Sequence, residues 1–253
     1  MKLQILSDLH IDSYARQSHP LGHIPKTDAD VVLVAGDTAN SDSGMPWLQE
    51  HAARLQVPVI TIAGNHEYFN EDVLHFDKKL ATWDNYNAQS QQGVRFLQCQ
   101  HIDIGDIRIL GCTLWTDYQY QANENTIAAA MRFMRDYKQI YAGGELFSPE
   151  VSMQIHAKQR QWLKQALITA KTLGKKTVVM SHHSISHYRC LRSMRIYQVT
   201  QLLSVIYLAG CMKIGHQYYG YMDIHTKHLT TVLVIHESLS IHVRIQMRSV
   251  ALH

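Results

Sequence analysis

No apolar run in this 253-residue chain approaches the ~20 residues that a membrane-crossing helix needs, so no such helix is expected. Cysteine is sparse. The four present (Cys99, Cys112, Cys190 and Cys211) show no C-x-x-C spacing, which argues against a disulfide scaffold or zinc ribbon and suits a reducing compartment. No Gly-rich phosphate loop or dinucleotide fingerprint occurs, so a nucleotide cofactor is not expected. Internal repeats are not evident, and no Pro/Gly/Ser-rich linker divides the chain, which reads as one large domain. An apolar β-type run begins almost at Met1, with no basic, apolar leader ahead of it. The expected compartment is the cytoplasm.

The formal net charge is +3, but it is unevenly placed. Residues 1–186 hold 17 Lys and Arg against 19 Asp and Glu, whereas residues 187–253 hold 7 against only Asp223 and Glu237. The same tail lacks Pro, Phe, Trp and Asn altogether and carries seven of the seventeen histidines. A basic arm for nucleic acid is one explanation of such a balance. The runs Leu202–Leu208 and Thr231–Ile235 are too apolar for a solvated arm, so nucleic acid is disfavoured as a partner.

Upstream of residue 187 the pattern is regular. Apolar, β-branched runs at Leu3–Leu6, Val31–Ala35, Val57–Ala63 and Thr177–Met180 read as strands buried on both faces. Helices are expected at Pro46–Leu55 and Asn70–Trp83, giving a βαβα order. Val94–Leu97, Ile102–Ile104 and Ile107–Leu114 read as further strands, with Gly105-Asp106 as a hairpin turn. Ser148-Pro149-Glu150 is an N-cap signal for a helix running to Thr172, with Gly174 beyond its end. Its stripe of Val151, Ile155, Trp162, Ala166 and Ile168 is read as core packing.

Each of four strands is followed at once by polar residues of the metal-binding kind: Asp8-Leu9-His10, Gly36-Asp37, Gly64-Asn65-His66-Glu67 and His182-His183. Asp8 and His10, two apart on an extended segment, can reach one cation if the strand end turns, while Asp37 can bridge to a second through its two oxygens. Asn65 offers a neutral oxygen. A mixed Asp/His/Asn set suits Mn, Fe or Zn better than Ca, which takes oxygen only. Two such ions would activate a water and clamp both the attacking and leaving oxygens of a phosphate ester. His66, beside Asn65, is placed to protonate the leaving oxygen, because imidazole titrates near neutrality.

Taken singly these signals are weak. Asp-x-His and Gly-Asp are ordinary turn sequences, and an isolated His-His pair is more often one core and one exposed histidine. The conjunction of four in order, each ending a strand and each chemically compatible with one site, is what carries the reading.

Ser7-Asp8-Leu9-His10, Ala35-Gly36-Asp37, Gly64-Asn65-His66-Glu67 and Ser181-His182-His183 together resemble the first four motifs of the calcineurin-like metallophosphoesterases. The stretches Thr113–Tyr118 and Met134-Arg135-Asp136-Tyr137, with the helix near Trp162, are similar to a bacterial branch of that family. The resemblance implies an α/β fold, a four-layer α-β-β-α sandwich, and hydrolysis of phosphomonoesters or phosphodiesters at a dinuclear metal centre. It implies Asp8, His10, Asp37, Asn65 and His182 as metal ligands and His66 as the catalytic acid, with two divalent ions (Mn, Fe or Zn) as cofactors. A small phosphoester is the expected partner, and Arg132 and Tyr68 are candidate substrate contacts.

Two departures from the family pattern stand out. Asn40 replaces a second aspartate, and an amide stabilises an imidazolium less than a carboxylate does. The family's last motif, Gly-His-x-His, is absent after His183, so each metal lacks a ligand. A shifted reading frame near Ser186 accounts for both this loss and the altered tail composition. Codons for Tyr221–His228 exist which, read two nucleotides later, give Tyr-Gly-His-Thr-His-Lys-Thr. Residues 1–186 are therefore read as the metallophosphoesterase core and 187–253 as an atypical segment. With it, the C-terminal part of the second sheet is expected to be disrupted and activity impaired, with His225, His228 or water as partial substitutes. The alternatives are a non-catalytic phosphate-binding module and a nuclease of the same superfamily.

Overall fold

The structure is a computed structural model that describes residues 1–14, 22–118 and 124–183, together with the backbone of three strands in the remainder. The first sheet is built from β1 (Leu3–Leu6), β2 (Val31–Val34), β3 (Val59–Thr61) and β4 (Val94–Phe96), all parallel. Helix α1 (Met45–Leu55) joins β2 to β3, and α2 (Phe76–Ala81) lies between β3 and β4. The second sheet contains the hairpin β5 (Gln100–Ile104) and β6 (Ile107–Cys112), with β9 (Lys176–Ser181) parallel to β6. Between β6 and β9 run α3 (Glu124–Phe133), α4 (Asp136–Gln139), the small hairpin β7 (Tyr141–Ala142) and β8 (Glu145–Leu146), and α5 (Pro149–Thr172).

Alternation along the strands sorts the core into layers. Leu6, Val32, Val34, Val59, Val94 and Phe96 pack with Met45, Leu48 and Leu55 of α1 and with Phe76 and Leu80 of α2. The opposite face, with Leu3, Ile5, Val31, Leu33, Ile60 and Ile62, meets Ile102, Ile107, Ile109, Val178 and Met180 of the second sheet. That sheet turns Leu110 and Val179 outward onto Leu163 of α5, flanked by Trp162, Ala166 and Leu167. The order of layers is helix, sheet, sheet, helix, as the period-two pattern of strands buried on both faces requires.

Local chemistry sets the ends of these elements. The third strand begins at Val59 rather than Val57, where Pro58 has no N–H to give to the ladder and only its carbonyl serves, accepting from Val32 N at 2.9 Å. Ser148 caps α5 by accepting from Val151 N, with Pro149 in the first turn. Helix α2 starts at Phe76 and not at Asn70. Asp72 Oδ1 accepts from Leu74 N at 2.9 Å, Asp72 Oδ2 accepts from Gly144 N at 3.1 Å, and Asp72 bridges to Tyr141, so this segment is held by the β7–β8 hairpin instead of coiling. Ile168 departs from the expected core stripe of α5, being 49% exposed, while Gln159 is buried and accepts from Trp115 N.

Three tail strands are seated in the sheets: β10 (Val205–Ala209) and β11 (Thr231–Ile235) extend the second sheet antiparallel beyond β9, and β12 (Val243–Ile245) pairs parallel with β1. This corrects the expectation that the last strands of the second sheet would be disrupted. Short runs such as Thr-Val-Leu-Val-Ile carry enough β-branched and apolar character to complete a ladder. Cys190, Cys211, Gly215-His216, His225 and His228 lie outside the described residues.

Candidate metal centre

Strands β1, β2 and β3 are adjacent and parallel, so the loops at their carboxyl ends leave the sheet on the same side, and His182 directly follows the end of β9. Crevices outside strand carboxyl ends are where parallel sheets collect ligands. The first two loops are laced together: Asp8 N donates to Gly36 O (3.1 Å), His10 N to Asp37 O (3.0 Å) and Ile11 N to Thr38 O (2.9 Å). Asp8, His10 and Asp37 all adopt left-handed backbone, with φ of 54°, 45° and 56°. Non-glycine residues in this region cost free energy and concentrate at functional sites.

Asp37 is the centre of the arrangement. Its Oδ1 accepts from His66 N at 2.9 Å and lies 3.5 Å from His182 Nε2. Its Oδ2 faces the other way, 3.8 Å from His10 Nε2 and 3.9 Å from His66 Nε2. Ligand-type atoms of Asp8, Asp37 and His182 all fall within 4.8 Å of one another, and so do those of His10, Asp37 and His66. Two clusters thus share one carboxylate. Of the five expected ligands, four enter these clusters. The fifth, Asn65, is 2% exposed and presents Oδ1 3.2 Å from His182 Nε2.

His182 is fully buried, with Nδ1 2.9 Å from Ala35 O. An N–H donated there leaves Nε2 to face Asp37 and Asn65, the tautomer a metal-binding imidazole needs. Its neighbour His183 packs on Trp115 with ring centroids 5.2 Å apart and enters neither cluster. His66 has Nδ1 3.0 Å from Asn40 Oδ1, so Asn40 orients this ring as an acceptor in spite of lacking a carboxylate. Asn40 is itself held by its N–H to Asp12 Oδ2 at 3.0 Å.

Glu67, the last residue of the third motif, is buried, and its carboxylate accepts from three backbone groups: Asp37 N (2.9 Å), Thr38 N (2.7 Å) and Gly64 N (2.8 Å). It ties the second ligand loop to the third. The glycines beside it leave no room for a side chain: a Cβ on Gly36, where φ is +88°, would lie 2.5 Å from Gly64 N and 2.8 Å from His182 Nδ1, and one on Gly64 would overlap Asp37 Oδ1.

Burial pushes the Asp37 carboxyl well above its ordinary value, against the pull of His182 and reinforced by Asp8 and Glu67. Glu67 is raised by burial too, opposed by its three N–H donors. His10 is lowered, chiefly by burial. Burial alone would lower His182 as well, but the Asp37 and Asp8 carboxylates and the Ala35 carbonyl outweigh it and raise it. A proton and a cation compete for this cluster. The Asp37 carboxyl held above its usual range, beside a His10 Nδ1 that is buried without a hydrogen-bond partner, belongs to a donor set that a divalent cation would stabilise. The residues fit a metal site.

Reasoning from sequence did not find Asp136. It is 3% exposed, at the start of α4, and accepts from Asn65 Nδ2 at 2.9 Å; burial pushes its carboxyl up to about 6, with the Asn65 bond opposing. Its only signal was the Met134–Tyr137 stretch. Tyr68, expected as a substrate contact, is a core residue: fully buried, it donates to Asp77 Oδ1 at 2.6 Å and packs on Trp115. Arg132 lies on an exposed face of α3, its guanidinium 5.2 Å from the Phe133 ring centroid.

A family model described as calcineurin-like phosphoesterase matches residues 1–204. The chain belongs to the calcineurin-like phosphoesterases. The fold and the motif order agree with that membership, phosphoester hydrolysis is the general chemistry it implies, and the family uses divalent metal ions. No curated protein matches the chain. Among solved structures it is similar to a phosphopantetheinyl hydrolase from Mycobacterium tuberculosis, at 20% identity over 72% of this chain and 68% of that one, with a TM-score of 0.46. Among the described residues no helix is long and apolar enough to cross a membrane.

Proposed function

We propose that this phosphoesterase hydrolyses small phosphomonoesters or phosphodiesters at a dinuclear centre bridged by Asp37. The observation that carries the reading is the opposed aim of the two Asp37 oxygens, Oδ1 toward His182 and Oδ2 toward His10 and His66. Asp8, His10, Asp37, Asn65 and His182 would hold two divalent ions of Mn, Fe or Zn. When bound, such ions act as Lewis acids toward the phosphoryl oxygens and lower the pKa of an attacking water.

The protein's own groups do the rest. Asp37 fixes the separation of the two clusters, and its bond to His66 N holds the third loop in register. Asn40 Oδ1 accepts a hydrogen bond from the Nδ1–H of His66, which leaves Nε2 facing the clusters as the atom that would carry a proton to the leaving oxygen. The loops, held by Glu67, keep these groups in place before substrate arrives, which is where the advantage of a pre-organised site lies. Arg132 stands as a candidate contact to substrate phosphate.

A second reading of His66 rests on its grouping with His10 and Asp37, which would make it a ligand and not an acid. The loss of the Gly-His-x-His motif leaves each metal a ligand short, and we expect weakened metal occupancy and impaired turnover in this chain. The test is Mn²⁺-dependent hydrolysis of chromogenic mono- and diesters by this chain, by its Asp37→Ala and His66→Ala variants, and by a version with the frame restored after Ser186. Turnover only by the restored chain supports impairment. Turnover by the given chain that survives Asp37→Ala would overturn the proposed centre.

A further inference from the structure

We infer that Asp136 is a positioning residue that selects which end of the Asn65 amide faces the metal centre, an inference that rests on the function proposed above. The two ends of an asparagine amide are nearly the same size, so packing around a buried side chain cannot tell them apart. Selection requires a hydrogen-bond partner of one kind only. A carboxylate is such a partner, because when ionised it accepts and never donates. Asp136 Oδ1 lies 2.9 Å from Asn65 Nδ2, and the far end of the amide, Oδ1, is turned to His182 Nε2 at 3.2 Å. Both side chains are almost wholly out of water, Asn65 at 2% and Asp136 at 3% exposure.

Turned round, the amide would direct two N–H groups at the cation side and offer no lone pair. It would also set its oxygen against the Asp136 carboxylate, two acceptors in a buried place, each left unsatisfied. Asp136 can act as a fixed reference because α4 is anchored on both sides. Ile140 N donates to Asp136 O at 3.1 Å, Phe147 N donates to Ile140 O at 2.8 Å, and the Tyr137 and Phe147 rings stack with centroids 5.9 Å apart. The pair is separated by 71 positions in sequence, so the connection belongs to the fold and not to the motif. The same carboxylate also polarises the amide and makes its oxygen a better donor to a cation, as outer-shell partners of metal ligands do.

The test is calorimetric titration of MnCl₂ into the full chain and its variants at about pH 8, with melting of the metal-free proteins measured alongside. Asp136→Leu keeps the branched shape, with bulkier methyl groups in place of the oxygens, and removes the acceptor; the Asn65 N–H left without its partner costs less than the stability of a folded domain. The expected result is a Mn²⁺ affinity about 10–100-fold weaker, the usual cost of losing an outer-shell partner. Asp136→Asn, whose amide can turn to offer either an acceptor or a donor, keeps a bond but no longer selects one orientation, and its affinity should fall between those of the parent and the Leu variant. A purely structural role would instead lower the melting temperature of the metal-free Leu variant and leave the affinity of the folded protein unchanged. The inference is overturned if the Leu variant binds Mn²⁺ as the parent does, or if Asn loses as much as Leu. Should the Leu variant fail to fold, Asp136→Ala is judged by the same two criteria. A parent chain that binds no Mn²⁺ at millimolar concentration would overturn the proposed centre itself, a separate result from parent binding that Leu leaves intact.

Discussion

Glu67→Gln is the sharpest test of how the ligand loops are held. In the parent, Oε2 accepts from Asp37 N and Gly64 N, and Oε1 accepts from Thr38 N, all three buried. Glutamine has one oxygen. Set in the Oε2 position, it keeps two of the bonds, now to a neutral acceptor, and turns an NH₂ against the Thr38 N–H. A buried donor left without a partner costs about 1–3 kcal/mol, and two bonds weakened from charged to neutral cost roughly another 1–2 kcal/mol. Relief from burying a charge acts in the opposite direction, as the raised proton affinity of Glu67 indicates. The expected net loss is about 2 kcal/mol, which for a chain of this size lowers the melting temperature by roughly 4–8 °C. Thermal unfolding of the metal-free protein followed by circular dichroism measures it directly. A fall smaller than about 1 °C would refute the claim that this carboxylate clamps the two loops.

Three further outcomes follow from the same geometry. Gly64→Ala, whose Cβ would overlap Asp37 Oδ1 and lie 2.8 Å from His182 Cε1, should abolish Mn²⁺ binding by calorimetry while secondary structure survives. Burial raises the Asp77 carboxyl above its ordinary 3.8, so its contribution to stability is complete below that pH and is lost as pH climbs through the raised value. Asp77→Asn, fixed in the neutral form, should therefore match the parent in acid and exceed it at neutral pH in urea unfolding; equal stability at both would refute this. Adding Mn²⁺ to a hundredfold excess over its dissociation constant should stabilise the folded chain by about 2.7 kcal/mol, and EDTA should reverse the rise in melting temperature.

What the sequence made legible was local. The strands that end in candidate ligands are short apolar runs followed within a few residues by chemically distinctive side chains, and parallel pairing puts the ends of β1, β2 and β3 on one edge. The long helix was readable from Ser148 and Pro149 alone. Glu67 stood in plain view as a motif residue, but its three bonds are to backbone and leave no trace in side-chain pattern. Asp136 was hidden because its partner is 71 residues away. Tyr68 misled because adjacency to His66 says nothing of direction: the single turn His66–Tyr68 sends one ring toward Asp37 and the other into the core. The break in composition near residue 187 was plain, yet apolar segments beyond it still pair as strands, since ladders ask for β-propensity and little else.

The bond from His182 to Ala35 spans 147 positions, which has a bearing on how the protein comes into being. On a chain made from the amino end, the first three loops of the site leave the ribosome long before β9 does, and non-local contacts of this kind generally slow folding. Until then the acids of the early loops sit together with no His182 imidazole to complete their cluster. The cluster of Asp8, Asp37 and His182 is thus complete only once the second sheet has docked, and a chain cut short before residue 182 lacks its imidazole.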